Sequence, residues 1–160
     1  MQRVLSIRLM SLALLGLTIP AFAEEPVTLI GTIVKWRYPD AEIGPSQMSD
    51  AATIDAEGNR TVPSTVMKTT MTTGDSVDNV LQFYRGLLTR NPEHDGKLGI
   101  DPEAGRSVVF SDESEGRSFA FHTILVNSAN RSTTLIITRG ADEEQTRITW
   151  KQYVIHDIGG

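Results

Sequence analysis

The chain contains no cysteine among its 160 residues. That excludes disulfides, thiolate metal ligands and a cysteine nucleophile. It also excludes the acylated cysteine on which a lipid-anchored bacterial lipoprotein depends. Secreted eukaryotic domains of this size often carry disulfides, so the absence leans toward a bacterial exported protein. Basic residues are in the minority, 15 against 20 acidic. A net negative chain repels nucleic acid and anionic headgroups, so neither is expected as a partner. Internal repeats and low-complexity stretches are missing. So are the HExxH metal pair, the G-x-S-x-G elbow, the S-x-x-K nucleophile, the DxDxDG calcium loop and a phosphate-cradling glycine loop. No cofactor is expected.

Long apolar runs are also missing, apart from one. Met1–Arg8 carries Arg3 and Arg8 and no acid; Leu9–Ile19 is apolar; Pro20 breaks the run before Ala21-Phe22-Ala23. Basic start, apolar middle and small-x-small end make an export signal, residues 1–23, cleaved near Ala23. The uncharged stretch Leu9–Ala23 falls short of the about 20 residues that a spanning helix needs. The expectation is one exported domain, 24–160, periplasmic or secreted, with no stable membrane anchor after cleavage. Losing Arg3 and Arg8 lowers the basic count from 15 to 13 against 20 acids, a net charge of −7. The acids are spread along the chain, where they serve solubility.

The remaining pattern predicts an α+β fold. Val27–Trp36 is rich in β-branched residues and reads as a first strand, with a helix as the alternative. Tyr38-Pro39-Asp40 ends it. Glu57-Gly58-Asn59 marks a hairpin turn, and in Thr61–Thr73 the alternation puts Met67 and Met71 on one face. A helix over about 75–90 starts at an Asp75 cap, and Val77, Val80, Leu81, Tyr84, Leu87 and Leu88 form its apolar stripe. Asn91-Pro92 stops it, and breakers through 91–106 predict a long loop. Four strands follow, Ser107–Ser111, Arg117–Asn127, Thr133–Arg139 and Thr146–Ile155, joined by short polar connectors that suit an antiparallel meander. The expected architecture is one main helix on an antiparallel sheet, in the order β-β-β-α-β-β-β-β. Phe119, Phe121 and Leu125, with Ile148, Trp150 and Val154, are expected to meet the helix stripe.

The opposite strand faces are less polar than a solvated sheet needs. Ala120, His122, Ile124 and Val126 alternate on one strand, Tyr153 and Ile155 on another. His122, Ile124, Val126 and Tyr153 are therefore the candidate binding residues, on a second sheet face that either meets a partner or is covered by another segment. His94, His122 and His156 lack metal-ligand spacing, so no metal is expected. Acidic turns at 95–103, 112–115 and 142–144 are ordinary solvated turns, although paired carboxylates are also the tools of hydrolases.

Four stretches show a further layout. Tyr38-Pro39-Asp40-Ala41 is followed by Thr70-Met71-Thr72-Thr73-Gly74-Asp75-Ser76-Val77, a helix with Phe83-Tyr84, and Thr134-Leu135-Ile136-Ile137-Thr138-Arg139. The layout resembles uncharacterised exported bacterial proteins with a Tyr-Pro-Gly-Ala turn, a threonine-rich strand and an Asp-Ser…Val-x-x-Phe-Tyr helix. This chain has Asp40 where those carry glycine. The resemblance implies no activity. The function expected is a non-catalytic binding or envelope-associated module for an unknown protein or small molecule, with a homodimer possible. The alternative is a small periplasmic hydrolase using carboxylates and His122.

Overall fold

The segment read as a first strand is a helix, α1, Leu29–Trp36. The computed structural model describes residues 28–100 and 105–156; the expected leader 1–23 and start at Glu24 lie outside them. Thr32, Ile33 and Trp36 are buried, whereas Ile30 and Val34 are 56% and 53% exposed. That is helical periodicity, and burial on one stripe outweighs β-branched propensity. Thr28 caps the start by accepting the Gly31 amide at 3.0 Å. A Cβ on Gly31 would sit 2.8 Å from that hydroxyl oxygen, so glycine leaves room for the cap. The chain then turns at Tyr38-Pro39-Asp40-Ala41. Ala41 donates its amide to the Tyr38 carbonyl at 3.1 Å, and Asp40 adopts φ 54°. Proline second and positive φ third make a type II-like turn.

The architecture is α+β on an antiparallel sheet. Strands β1 (Glu42–Ile43) and β2 (Gln47–Asp50) pair one after the other with β5 (Ser64–Thr73). Strands β3 (Thr53–Ile54) and β4 (Arg60–Val62) form a separate small hairpin. The Asp55 carboxylate holds its turn by accepting the amides of Glu57 and Asn59. The expected meander is present as β6 (Ser107–Asp112), β7 (Phe119–Asn127), β8 (Arg131–Gly140) and β9 (Thr146–Ile155). Strand β9 pairs with β5 along its whole length, giving the sheet order β1-β5-β9-β8-β7-β6 with β2 also on β5.

Helix α2, Val77–Leu87, lies over β8. Its cap is Ser76, which accepts the Asn79 amide at 3.3 Å, rather than Asp75. Val80, Tyr84 and Leu88 are buried, and Val77, Leu81, Phe83 and Leu87 pack against the same core as Met71, Leu135, Ile137, Ile148 and Trp150. Tyr84 donates its hydroxyl to the Trp36 carbonyl at 2.8 Å, tying α2 to the end of α1. The expected loop 91–106 contains a third helix, α3, Pro92–Lys97, capped by the Asn91 side chain on the Glu93 amide at 2.9 Å. Proline is at home in a first helical turn, which is why a stop signal here also begins a helix. The element order β-β-β-α-β-β-β-β is corrected accordingly: α1 precedes the strands and two helices lie between β5 and β6.

Candidate functional site

Register decides which side chains face the helices. Ile124 pairs with Leu135, Leu135 with Trp150, and Trp150 with Thr69, and all four are buried. The inner row therefore runs through Ala120, His122, Ile124 and Val126 on β7, not through Phe119, Phe121 and Leu125. On β9 the inner row holds the expected Ile148, Trp150 and Val154, and Gln152, which was not expected, lies among them. Strand β7 is apolar on both sides, so alternation alone could not choose its buried face.

The four predicted binding residues do not share a face. Ile124 and Val126 are core residues under the helices, 0% and 3% exposed. His122 stands in the same inner row near the sheet edge, its side chain 15% exposed. Only Tyr153 lies on the outer face, where its hydroxyl donates to Ser64 Oγ at 2.9 Å. The second face thus exists, but its residues are the odd-numbered ones of β7.

That outer face is broad and mixed. Val109, Leu125, Phe119 and Ile155 are exposed on it, among Thr70, Thr149, Thr134, Thr123 and Thr138. Arg117 lies over the Phe121 ring at 4.7 Å at one end. Lys68 stands directly opposite Lys151 in the β5–β9 register. Both are exposed, and neither has an ion pair among the described residues. Directly opposed like charges disfavour a sheet pair. Gln47 continues this row on β2, and Thr134, Leu125 and Val109 continue it on the other side. The result is a cationic pair in the body of a half-apolar face, on a chain whose charge is net negative. Alternation could have revealed Lys68 and Lys151 as outward-facing; their opposition needed the register.

Among the described residues the carboxylates do not gather. Asp112 pairs with His122 in register, Oδ1 to Nδ1 3.5 Å. The Ser114 hydroxyl and amide, with a smaller effect from His122, hold the Asp112 carboxyl below its usual range. Glu143 is likewise lowered, by the Gly140 amide and Arg147. His94 is in α3 and His156 follows β9. Among the described residues no three His, Asp or Glu side chains come together as a metal group.

Two shallow clefts adjoin the start of β7 and the β8–β9 turn, both touching Phe119, Ser118 and Gly140. A smaller one, about 260 Å³, opens on the inner side of the sheet where β2, β5, β8 and β9 reach past the helices. Met48, Met67, Val154, Arg131, Gln152 and His156 line it. His122 lines none of these clefts. Compared with family models, with curated proteins and with solved structures, the chain matches none.

Proposed function

We propose that the protein is an exported, non-catalytic binding module that docks a partner protein on the outer face of its sheet. The observation that supports this reading is the Lys68–Lys151 opposition within an exposed, partly apolar face. Interfaces combine apolar contacts with complementary charge, and a like-charged pair is relieved when a partner supplies carboxylates between them. The partner surface is therefore acidic. Self-association on this face would set the lysines of two copies near one another, which disfavours a homodimer. Export rests on the leader pattern of residues 1–23.

The hydrolase alternative draws on the Asp112–His122 pair. It needs a nucleophile or water held at the imidazole. Ser114, the hydroxyl beside Asp112, has its oxygen already held by the Phe121 amide at 3.0 Å. The binding reading has the stronger support.

A photo-crosslinker at Thr134, between Leu125 and Lys151 in register, tests it in the exported protein. One dominant product, joined through an Asp/Glu-rich peptide and lost when Lys68 and Lys151 are both changed to Glu, is expected. A product that survives charge reversal, or one made of two copies of this chain, overturns the reading. Mass spectrometry of the mature product tests export separately, with Glu24 as the expected first residue.

A further inference from the structure

The inner cleft carries polar groups in surplus over what the fold uses. Gln152 is a floor residue, only 1% exposed. Its Nε2 donates to Thr133 Oγ1 at 2.8 Å, and the other end of the amide has no hydrogen-bond partner among the described residues. The two ends of a glutamine amide exchange without a change of shape, so the free end can serve as donor or acceptor. Arg131, opposite Val154 in register, uses one Nη1–H on the Gly99 carbonyl. Its Nε has no partner and its charge no carboxylate among the described residues.

Around these groups the walls are apolar. Met67 and Val154 are buried, and Met48 forms the rim at 49% exposure. Thioether side chains are unbranched and reshape around a guest, which lets one reach groups that the empty walls shield. His156 is already held, its Nε2 at 2.6 Å from Thr65 Oγ1. A volume of about 260 Å³ is below the range of about 300–1,000 Å³ usual for drug-sized sites, so the guest is small. A guanidinium with no carboxylate partner among the described residues balances one negative charge, which suits a carboxylate better than a doubly charged phosphate.

We infer that this cleft binds a small aliphatic monocarboxylate. Arg131 and the free end of Gln152 hold the carboxylate, and the chain lies against Met48, Met67 and Val154. The site is on the sheet face opposite Lys68 and Lys151, so it stands or falls apart from the docking surface.

Methyl-labelled methionine NMR of the whole protein tests it with octanoate as the probe. Saturable shifts of the Met48 and Met67 methyls are expected, with Met71, which lies deeper in the core, unmoved. Octan-1-ol and the variant Arg131→Gln should each bind at least about tenfold more weakly, since each loses a charge-assisted hydrogen bond. Met48→Glu, at a rim position 49% exposed, should abolish binding by repulsion. Should Arg131→Gln fail to fold, the octanol comparison and Met48→Glu decide. No saturable shift, equal affinity for octanol and octanoate, or binding unaffected by Met48→Glu overturns the proposal.

Discussion

Tyr38 donates its phenolic hydroxyl to Oδ2 of Asp75 at 2.5 Å, across 37 positions of chain. The contact joins the proline turn to the entry of α2. The Asp75 carbonyl also accepts from Thr146 Oγ1 at 2.6 Å and from Arg139 Nη1 at 3.1 Å. One residue thus gathers the turn, the end of β8 and the start of β9. The Tyr-Pro and Asp-Ser stretches that stand out in the sequence are two halves of a structural clamp.

The clamp has a pH signature. The hydrogen bond to Asp75, then burial, push the Tyr38 phenol from 10.0 up to about 12. Folding therefore favours the neutral phenol. Its contribution is complete below pH 10 and is lost as pH rises from about 10 to about 12. Denaturant midpoints measured over that window should fall, and Tyr38→Phe should flatten the fall. A slope that Tyr38→Phe leaves unchanged would assign it to other groups, such as Tyr84, whose phenol burial also pushes up.

Asp40 occupies a left-handed backbone conformation. Such a φ costs an L-residue about 1–2 kcal/mol, less for Asp, and glycine nothing. Asp40→Gly should hold or slightly raise stability, by up to about 0.5 kcal/mol, after the entropy that glycine adds to the unfolded chain. Urea unfolding is the check, and a lower midpoint would contradict the turn geometry.

Neighbouring residues on β7 should respond in opposite ways. Ile124→Lys puts a charge into a fully enclosed position and should cost about 3–5 kcal/mol, enough to unfold a marginal domain. Leu125→Lys, one position on, faces outward and should stay within about 0.5 kcal/mol of the parent. Circular dichroism on the two variants separates them. Similar losses in both would mean that the outer face is covered.

Arg106 and Asp95 form an ion pair at 2.7 Å with side chains only 4% and 5% exposed. Arg106 also donates to the Leu88 carbonyl at 2.9 Å, joining α3 and the start of β6 to the end of α2. Removing one partner strands a buried charge. Asp95→Leu or Arg106→Leu should each cost about 3–5 kcal/mol, and the double variant should recover much of the loss. Additive losses in the double-mutant cycle would show that the two charges are uncoupled.

The strands of the meander were legible because each is bounded by polar turns and has a strong local preference. The α2 stripe was legible because six apolar side chains recur at helical spacing. Helix α1 was not, since its Ile and Val residues favour a strand until Trp36 and Ile33 find a core to enter. Helix α3 was hidden by Asn91-Pro92, which reads as a stop signal but here caps and starts a helix. The buried face of β7 was not legible, because Phe119, Phe121 and Leu125 look as buriable as Ile124 and Val126.

Composition and periodicity by themselves determined a cysteine-free, acidic chain with α+β content, an antiparallel meander and one amphipathic helix, because these follow from interactions among residues close in sequence. Only the tertiary structure decided which side of β7 goes inside, that Lys68 confronts Lys151, and that Gln152 and Arg131 share a cleft. Each of those depends on the pairing of strands far apart in the chain, and a shift of one residue in that pairing exchanges every inward side chain for an outward one.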